Sequence, residues 1–459
     1  MGTGGGLKST REWDAAADGS PLELALSGLK LSVPGGAEHD LKAAIMRWSV
    51  ESGVRVDVPA PPTRSSTLKG PRTAGVRLEE SDLYHVHGQA AGGVRISAGY
   101  VIPEKDADEY GIPRWTRTVE GEVLHLHVEY LKFEQETRPS ALAASIRQGI
   151  LKCPSDLPYG EMETVSLESA FGTEQPSRLI VATGALASGY HFALRRMSDQ
   201  YIQCRITGPE DGRIDDVSQH AALAFGLASG ARCRWVSWRE ESKGVVRIFL
   251  GEPPYDPGLR FPVMRRDVDR EDFKKFIRAV AEALWQKPEL RNALSLPELA
   301  SPPKGTYLEI IALLSAAVAE AMLRTFCEAL PGSGSVRPVD PEQLVSLKTL
   351  MNQEPIASHP LARRVLGMLE MLNQVRPTDV LYAVNAASPR FFSNDEIEAW
   401  KSLRNPAAHG RFDNSSADFL RKVALVFNIM NKIVMRTVGY EGQFVDYSTM
   451  EWALTTFGA

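Results

Sequence analysis

The chain has 459 residues, enough for two or three domains of ordinary size. Its 43% hydrophobic and 24% charged residues exclude a disordered chain, a collagen-like fibre and a coiled-coil rod. The formal net charge is -5, so no basic field covers the whole molecule and any nucleic-acid contact must be a local patch. No stretch approaches the roughly 18 uncharged apolar residues of a membrane helix; the longest apolar run, at 310–319, is too short.

Residues 1–20 are small, polar and Gly-rich, and read as a disordered N-terminus. They lack the apolar segment of a signal peptide, and Gly6 stands where a lipidation signal at Gly2 would want Ser or Thr. The four cysteines, Cys153, Cys204, Cys233 and Cys327, form no CxxC pair and read as reduced, buried thiols of a cytoplasmic protein.

Residues 21–265 have the texture of strands. Apolar and polar residues alternate at 76–78, 93–97 and 122–128, and further strands are expected at 178–182 and 244–250. Gly, Pro and Asp clusters punctuate them at 59–62, 92–93, 208–212 and 253–258. Two helices are expected to interleave, near 140–152 and 217–229. This half reads as a β-rich, sandwich-like domain, with a sensing or regulatory role.

From 266 onward the pattern is helical, giving an α+β chain with an all-α C-terminal domain over 266–459. Asp269 to Asp272 form an acidic first turn, followed by Phe273, Phe276, Ile277, Val280 and Leu284 at helical spacing. After a Pro-rich joint at 297–303, Thr306 is expected to cap a long helix that Pro331 and Gly332 stop near Leu330. Another helix is expected at 360–374. Ser393 and Glu396 have capping-box spacing. The last helix, 416–438, carries an apolar stripe of Phe419, Val423, Phe427, Met430, Val434 and Val438, and an extended tail follows at 442–448.

The segment 400–411 carries the chemistry. Asn405 and Pro406 are favoured at an N-cap and at the first helical position, so a new helical turn is expected there, after a helix ending near Leu403. Free amides at such a start attract anions. Arg404 would add a permanently charged phosphate ligand, and His409 a group that exchanges a proton near neutral pH. Phosphate clamp plus proton shuttle is the minimum kit for cleaving RNA by its own 2′-hydroxyl, without a metal or cofactor. The bland alternative is an Arg bracing a helix joint and a His bonded to a backbone carbonyl. A looser pair, Arg213 and His220, lacks a capped start between its members.

With Arg404, Asn405, His409 and the following Gly410, the C-terminal part resembles the HEPN family of helical-bundle ribonucleases. The helix at 307–330, with Glu320 and Arg324 embedded, resembles the first helix of that bundle. The tail at 440–448 resembles that of the ApeA-like branch, which also has a β-rich N-terminal domain. The resemblance covers about 300–459 by motif and 21–265 by architecture alone. It implies a metal-independent endoribonuclease of bacterial anti-phage defence, acting by abortive infection, with tRNA among its candidate substrates. His409 would serve as general acid or base, Arg404 would hold the scissile phosphate, and Asn405 would cap and orient the turn. It further implies 2′,3′-cyclic phosphate products, a homodimer through the helical domain, and a phage-derived trigger at the N-terminal domain. One departure stands out: Pro406, Ala407 and Ala408 offer no polar side chain between the key residues.

Residues 393–439 hold 7 Lys and Arg against 5 Asp and Glu. Lys401, Arg411, Arg421, Lys422, Lys432 and Arg436 are therefore candidates to line an RNA path, against the alternative of an ordinary solvated face. Other motifs carry less. His85 with His87 and His125 with His127 alternate as strand residues, and lack the neighbouring Cys or carboxylate of a metal site. The segment 184–189 reads as a turn rather than a nucleotide loop. Trp235 and Trp238 read first as packing, and as base-stacking platforms only second. Two rival functions remain open: a non-catalytic HEPN-like RNA-binding or dimerisation module with a ligand-sensing β-domain, and a carbohydrate- or ligand-binding sandwich with a helical tail.

Overall fold

The computed structural model describes residues 21–458 apart from 27, 33–37, 42–43, 60–83, 91–93, 104, 108–112, 116–122, 129, 138–143, 154–161, 166–176, 199, 252–259, 333, 335–340, 354–356, 358–364, 367–375, 390, 410–415 and 450. The expectations for 1–20 and 76–78 lie outside these residues, as does nearly all of the helix expected at 360–374. The chain forms two compact units, one of residues 1–225 and 233–255, the other of 226–232 and 256–459. The first is dominated by a large antiparallel sheet, the second by helices, so the fold is α+β.

The main strands of the first unit are β1 (Gly53–Pro59), β2 (Val94–Pro103), β3 (Val123–Val128), β4 (Tyr130–Glu136), β5 (Ala144–Lys152), β6 (Ser177–Ala185), β7 (His191–Arg196), β8 (Tyr201–Pro209), β9 (Arg234–Ser242) and β10 (Val245–Gly251). They lie in the order β1-β3-β2-β4-β10-β9-β5-β8-β7-β6, and strands Ala44–Ser49 and Leu22–Leu26 extend the row beyond β1. Period-two alternation explains the packing. Leu131 and Phe133 of β4 and Val246, Ile248 and Leu250 of β10 bury one face against Met46, Trp48, Val54 and Val56. The Trp48 indole N–H donates to the Gly251 carbonyl at 3.4 Å. The sheet thus folds back on itself, as a sandwich does.

Of the helix expected at 140–152, the described residues form instead the central strand β5, paired with β8 on one side and β9 on the other. A Cβ on Gly149 would stand 2.0 Å from the Ser237 carbonyl oxygen, so only glycine allows this close approach. The second expected helix is present as α1 (Ile214–Ser229). It covers the sheet face opposite the Leu131–Leu250 core. Its Phe225 ring meets Phe192 edge-on, with centroids 5.5 Å apart, and its Ser218 carbonyl accepts from the Trp235 indole at 3.2 Å.

A chain of ion pairs crosses five neighbouring strands on the α1 side of the sheet. Arg95 meets Glu134 at 2.5 Å, Glu134 meets Arg247 at 2.7 Å, and Arg247 meets Glu240 at 2.8 Å. Glu240 then accepts from Arg147, which reaches Asp215 in the first turn of α1 at 2.7 Å. Arg147 is fully buried, its guanidinium 4.0 Å from the Trp238 ring centroid. Trp238 in turn stacks on Phe249. Both tryptophans are therefore packing residues.

In the second unit, α2 (Arg270–Gln286) begins as expected, with the Asp269 carboxylate accepting from the amides of Glu271 and Asp272. It buries Phe273, Phe276, Ile277, Val280 and Leu284. Next come α3 (Leu308–Thr325), α4 (Pro341–Met351), α5 (Pro377–Ala387), α6 (Asn394–His409) and α7 (Ser416–Thr437), then a hairpin of β11 (Gly442–Val445) and β12 (Leu454–Phe457). Thr306 does not cap α3; its hydroxyl bonds to the Pro303 carbonyl at 2.8 Å, and Tyr307 holds the N-cap position. The helix ends at Thr325 and a 3-10 turn, Cys327–Ala329, takes the chain on to Leu330. Along α7, Phe419, Val423, Phe427, Met430 and Val434 are buried as one stripe. All four cysteines are free and buried. Among the described residues, no helix is long and apolar enough to cross a membrane.

Candidate functional site

The site is built where α6 lies along α3. The capping box forms as its spacing requires: Ser393 Oγ accepts from the Glu396 amide at 3.1 Å, and Glu396 accepts from the Ser393 amide at 2.6 Å. One turn later Trp400 is fully buried, and its indole N–H donates to the Ala316 carbonyl of α3 at 3.2 Å. A further turn along both helices, Arg404 meets Glu320. Arg404 Nε lies 2.6 Å from Glu320 Oε2, and Arg404 Nη2 lies 3.3 Å from Oε1. The Trp400–Ala316 and Arg404–Glu320 contacts advance together by four residues on each helix, so the two helices run in the same direction here.

Arg324 donates to Glu320 Oε1 at 2.6 Å, the i,i+4 pair that the α3 sequence encodes. One carboxylate therefore serves two guanidiniums. The Arg404 guanidinium also lies 5.3 Å from the Trp400 ring centroid. The side chains of Arg404 and Arg324 are 42% and 43% exposed, and Arg404 keeps N–H groups within reach of solvent or of an anion.

His409 is the last residue of α6, five positions beyond Arg404. The helix is continuous through Asn405 and Pro406, which corrects the expectation of a new capped turn. Asn405 is thus an interior helical residue and not an N-cap, and no row of free amides opens at this point. The contacts of Trp400 and Leu403 with the bundle hold the helix beyond Leu403. Proline removes only the hydrogen bond that would reach the half-exposed Ser402 carbonyl. Arg411 lies outside the described residues.

Among the described residues, Lys401, Arg421, Lys422 and Lys432 make their own contacts and do not join the Arg404 cluster. Lys401 donates to the Tyr382 hydroxyl of α5 at 2.6 Å and to Glu398 at 2.9 Å; the tyrosine bond, then Glu398, push its ammonium pKa up. Arg421 faces Asp395 at 3.5 Å, nine residues before Arg404 and so about 13 Å back along α6. Lys422 pairs with Asp418 of its own helix at 2.6 Å. Lys432 is not a surface residue, which corrects its placement on an RNA path. It is buried against Glu396, with Nζ 2.8 and 3.1 Å from the two carboxylate oxygens. Asn428 bridges Glu396 to Asp446, and Ser448 closes on the same Asp446 oxygen. This buried network ties the start of α6 to the tail. Burial pushes the Glu396 carboxyl pKa up, against the pull of Lys432.

Sequence reasoning missed Glu320 as the partner of Arg404. The signal available was its four-residue spacing from Arg324 and its position one turn beyond Ala316. His87 pairs with Glu38 at 3.3 Å, and no group of three metal-ligating side chains occurs among the described residues. The segment 184–189 is a turn with Ser188 and Gly189 at positive φ. No family model matches the chain, and no curated protein or solved structure matches it either.

Proposed function

We propose that this protein is a metal-independent endoribonuclease of the HEPN type, with Arg404 and His409 at its centre. The observation that carries the reading is the Arg404–Glu320–Arg324 cluster. Two half-exposed guanidiniums are held in place by one carboxylate, and Arg404 shares α6 with His409, five residues on. A scissile phosphodiester is an anion that the exposed N–H groups of Arg404 can take. The RNA supplies its own nucleophile. As the 2′-oxygen attacks phosphorus, its proton passes to a base, the P–O5′ bond breaks, and the 5′-oxygen leaves with a proton. His409 is the group suited to one of these transfers, leaving a 2′,3′-cyclic phosphate and a 5′-hydroxyl.

A second copy of this chain is the proposed source of the other proton-transfer group. The outer face of α3 exposes Tyr307, Ile310 and Leu313, an apolar stripe leading toward Glu320 and Arg324. A homodimer closing on that stripe would bring two clusters together. In this reading the β-rich unit restrains the nuclease in the cytoplasm until a phage-derived trigger releases it, and cleavage of tRNA or other RNA halts the infected cell.

A second reading has its own observation: Glu320 already fills part of the anion-binding capacity of Arg404. The bundle would then be a non-catalytic RNA-binding or dimerisation module. Wild type, Arg404→Ala and His409→Ala, incubated with tRNA and single-stranded RNA in EDTA, separate the two. Cyclic-phosphate ends from the wild type alone support the nuclease. Three proteins alike, both in vitro and in toxicity on expression, support the module.

A further inference from the structure

Among the described residues, α1 covers one face of the sheet from β9 to β7, and the other face carries polar and basic residues around the buried Ile150. The strand register places the residues. Arg239 on β9 lies opposite Gln148 on β5, Gln148 opposite Arg205 on β8, and Arg195 on β7 opposite Gln203. His191 lies two residues before Ala193, the partner of Arg205, and so joins the same face. The alternate residues Phe192, Leu194, Cys204 and Ile206 are buried on the α1 side. Arg205 and His191 are exposed, and Arg195, Gln148, Gln203 and Arg239 are half-buried. Among the described residues, Arg195, Arg205 and His191 have no ion-pair partner, unlike the arginines of the opposite face, Arg95, Arg147 and Arg247. Glu241 is the carboxylate of β9 that shares this basic face.

We propose that this face binds single-stranded RNA through its phosphate backbone. Four strands at about 4.8 Å spacing spread the cations over about 15 Å, the scale of a few nucleotides and larger than one phosphate group. Guanidinium forks match phosphate oxygens, and the Gln148 amide suits sugar hydroxyls and base edges. Met197, two residues beyond Arg195, is exposed at the rim of this face, and a single methionine is less than insertion into a lipid surface needs. With no exposed aromatic ring at its centre, binding follows backbone charge and depends strongly on salt, with little sequence preference. This surface belongs to the β-rich unit and the Arg404 cluster to the helical one, so the proposal does not require that cluster to cleave.

The test uses the full chain carrying His409→Ala, so that RNA stays intact, and a fluorescent oligouridylate of about 20 nucleotides. Anisotropy is read from about 50 to about 300 mM salt. Arg195→Gln with Arg205→Gln should weaken binding about tenfold at the lowest salt. It should also reduce the log–log salt slope by about 1.4, the loss of two single-strand phosphate contacts. Arg95→Gln, on the opposite face, should change neither. If the double variant melts early, Arg205→Gln alone is read, with a slope change of about 0.7. Wild-type affinity and slope in the arginine variants would overturn the proposal. So would tighter, Arg205-dependent binding to phosphatidylserine vesicles than to RNA. No arm depends on cleavage, so failure of the nuclease reading leaves this result interpretable.

Discussion

The guanidinium of Arg404 spans both oxygens of Glu320, with Nε at 2.6 Å and Nη2 at 3.3 Å, while Arg324 adds a third contact at 2.6 Å. The geometry is that of a clamp with spare capacity. Glu320 fixes the direction of Arg404 and is shared with Arg324. The buried Trp400–Ala316 bond one turn earlier sets the register that lets the pair form.

Truncating Arg404 to Ala should leave the fold nearly intact. The pair is half-exposed, and such pairs contribute about 0–1 kcal/mol. RNA cleavage should fall by about 10²–10³, the cost of removing one preorganised electrostatic donor. Glu320→Gln keeps both arginines but loosens them, so a smaller loss, about tenfold, is expected. Thermal melts beside end-labelled RNA digests check both. Equal cleavage by all three proteins would leave Arg404 a structural residue.

His409→Ala should lower cleavage by about 10²–10⁴ with no change in melting, the range for loss of a positioned general acid or base. The comparison is best made across pH, because the wild-type rate should vary through the titration range of a histidine while the residual rate of the variant should not. A flat wild-type profile would assign the proton transfer elsewhere.

The ion-pair chain of the β-rich unit makes a sharper stability prediction. Glu240→Ala leaves the buried Arg147 guanidinium with Asp215 alone, and one of its terminal nitrogens already lacks a partner. Removing one member of a buried pair costs about 3–5 kcal/mol. Urea unfolding of the variant should show that loss, whereas Glu134→Ala, nearer solvent, should cost about 1 kcal/mol.

Elements whose signal is local were legible in the sequence. The Asp269 cap, the Ser393–Glu396 capping box and the α7 stripe each depend on residues within one or two turns, and each is found. What failed depends on distant partners. Ala144–Lys152 has helix-forming residues but is held as a central strand by β8 and β9. Asn405 and Pro406 have the composition of a helix start, but the helix does not stop before them. Lys432 looks like a surface cation until Glu396, 36 residues earlier, is seen to bury it. Glu320 could not be assigned to Arg404 without the packing of α3 on α6, because 84 residues separate them.

The Glu396–Lys432 pair allows a double-mutant test. Lys432→Met strands a fully buried carboxylate whose pKa burial already pushes up, and should cost about 3–5 kcal/mol. Adding Glu396→Gln removes the charge and should recover most of that loss. If the single and double variants unfold together, the network is not carrying charge in the way its distances imply.

Glu298 sets a pH dependence of opposite sign to the usual acidic one. It lies beside a small cavity with Phe261, Ser301, Phe427 and Asn431, whose amide nitrogen has no partner. Burial pushes its carboxyl up to about 7, with Arg232, 3.4 Å away, and Arg291 pulling it down. Between the ordinary carboxylate value of about 4.3 and 7, the folded state holds a proton that the unfolded state has released. The folded state is therefore destabilised progressively as pH rises through that window, and the loss is complete above it. Glu298→Gln has no proton to lose, so its stability should hold across the same window. Above pH 7 it should exceed the wild type by a few kcal/mol. Chemical denaturation of both proteins at pH 5, 6, 7 and 8 checks this. Parallel curves for the two would mean that Glu298 is ionised throughout, with Arg232 compensating fully for its burial.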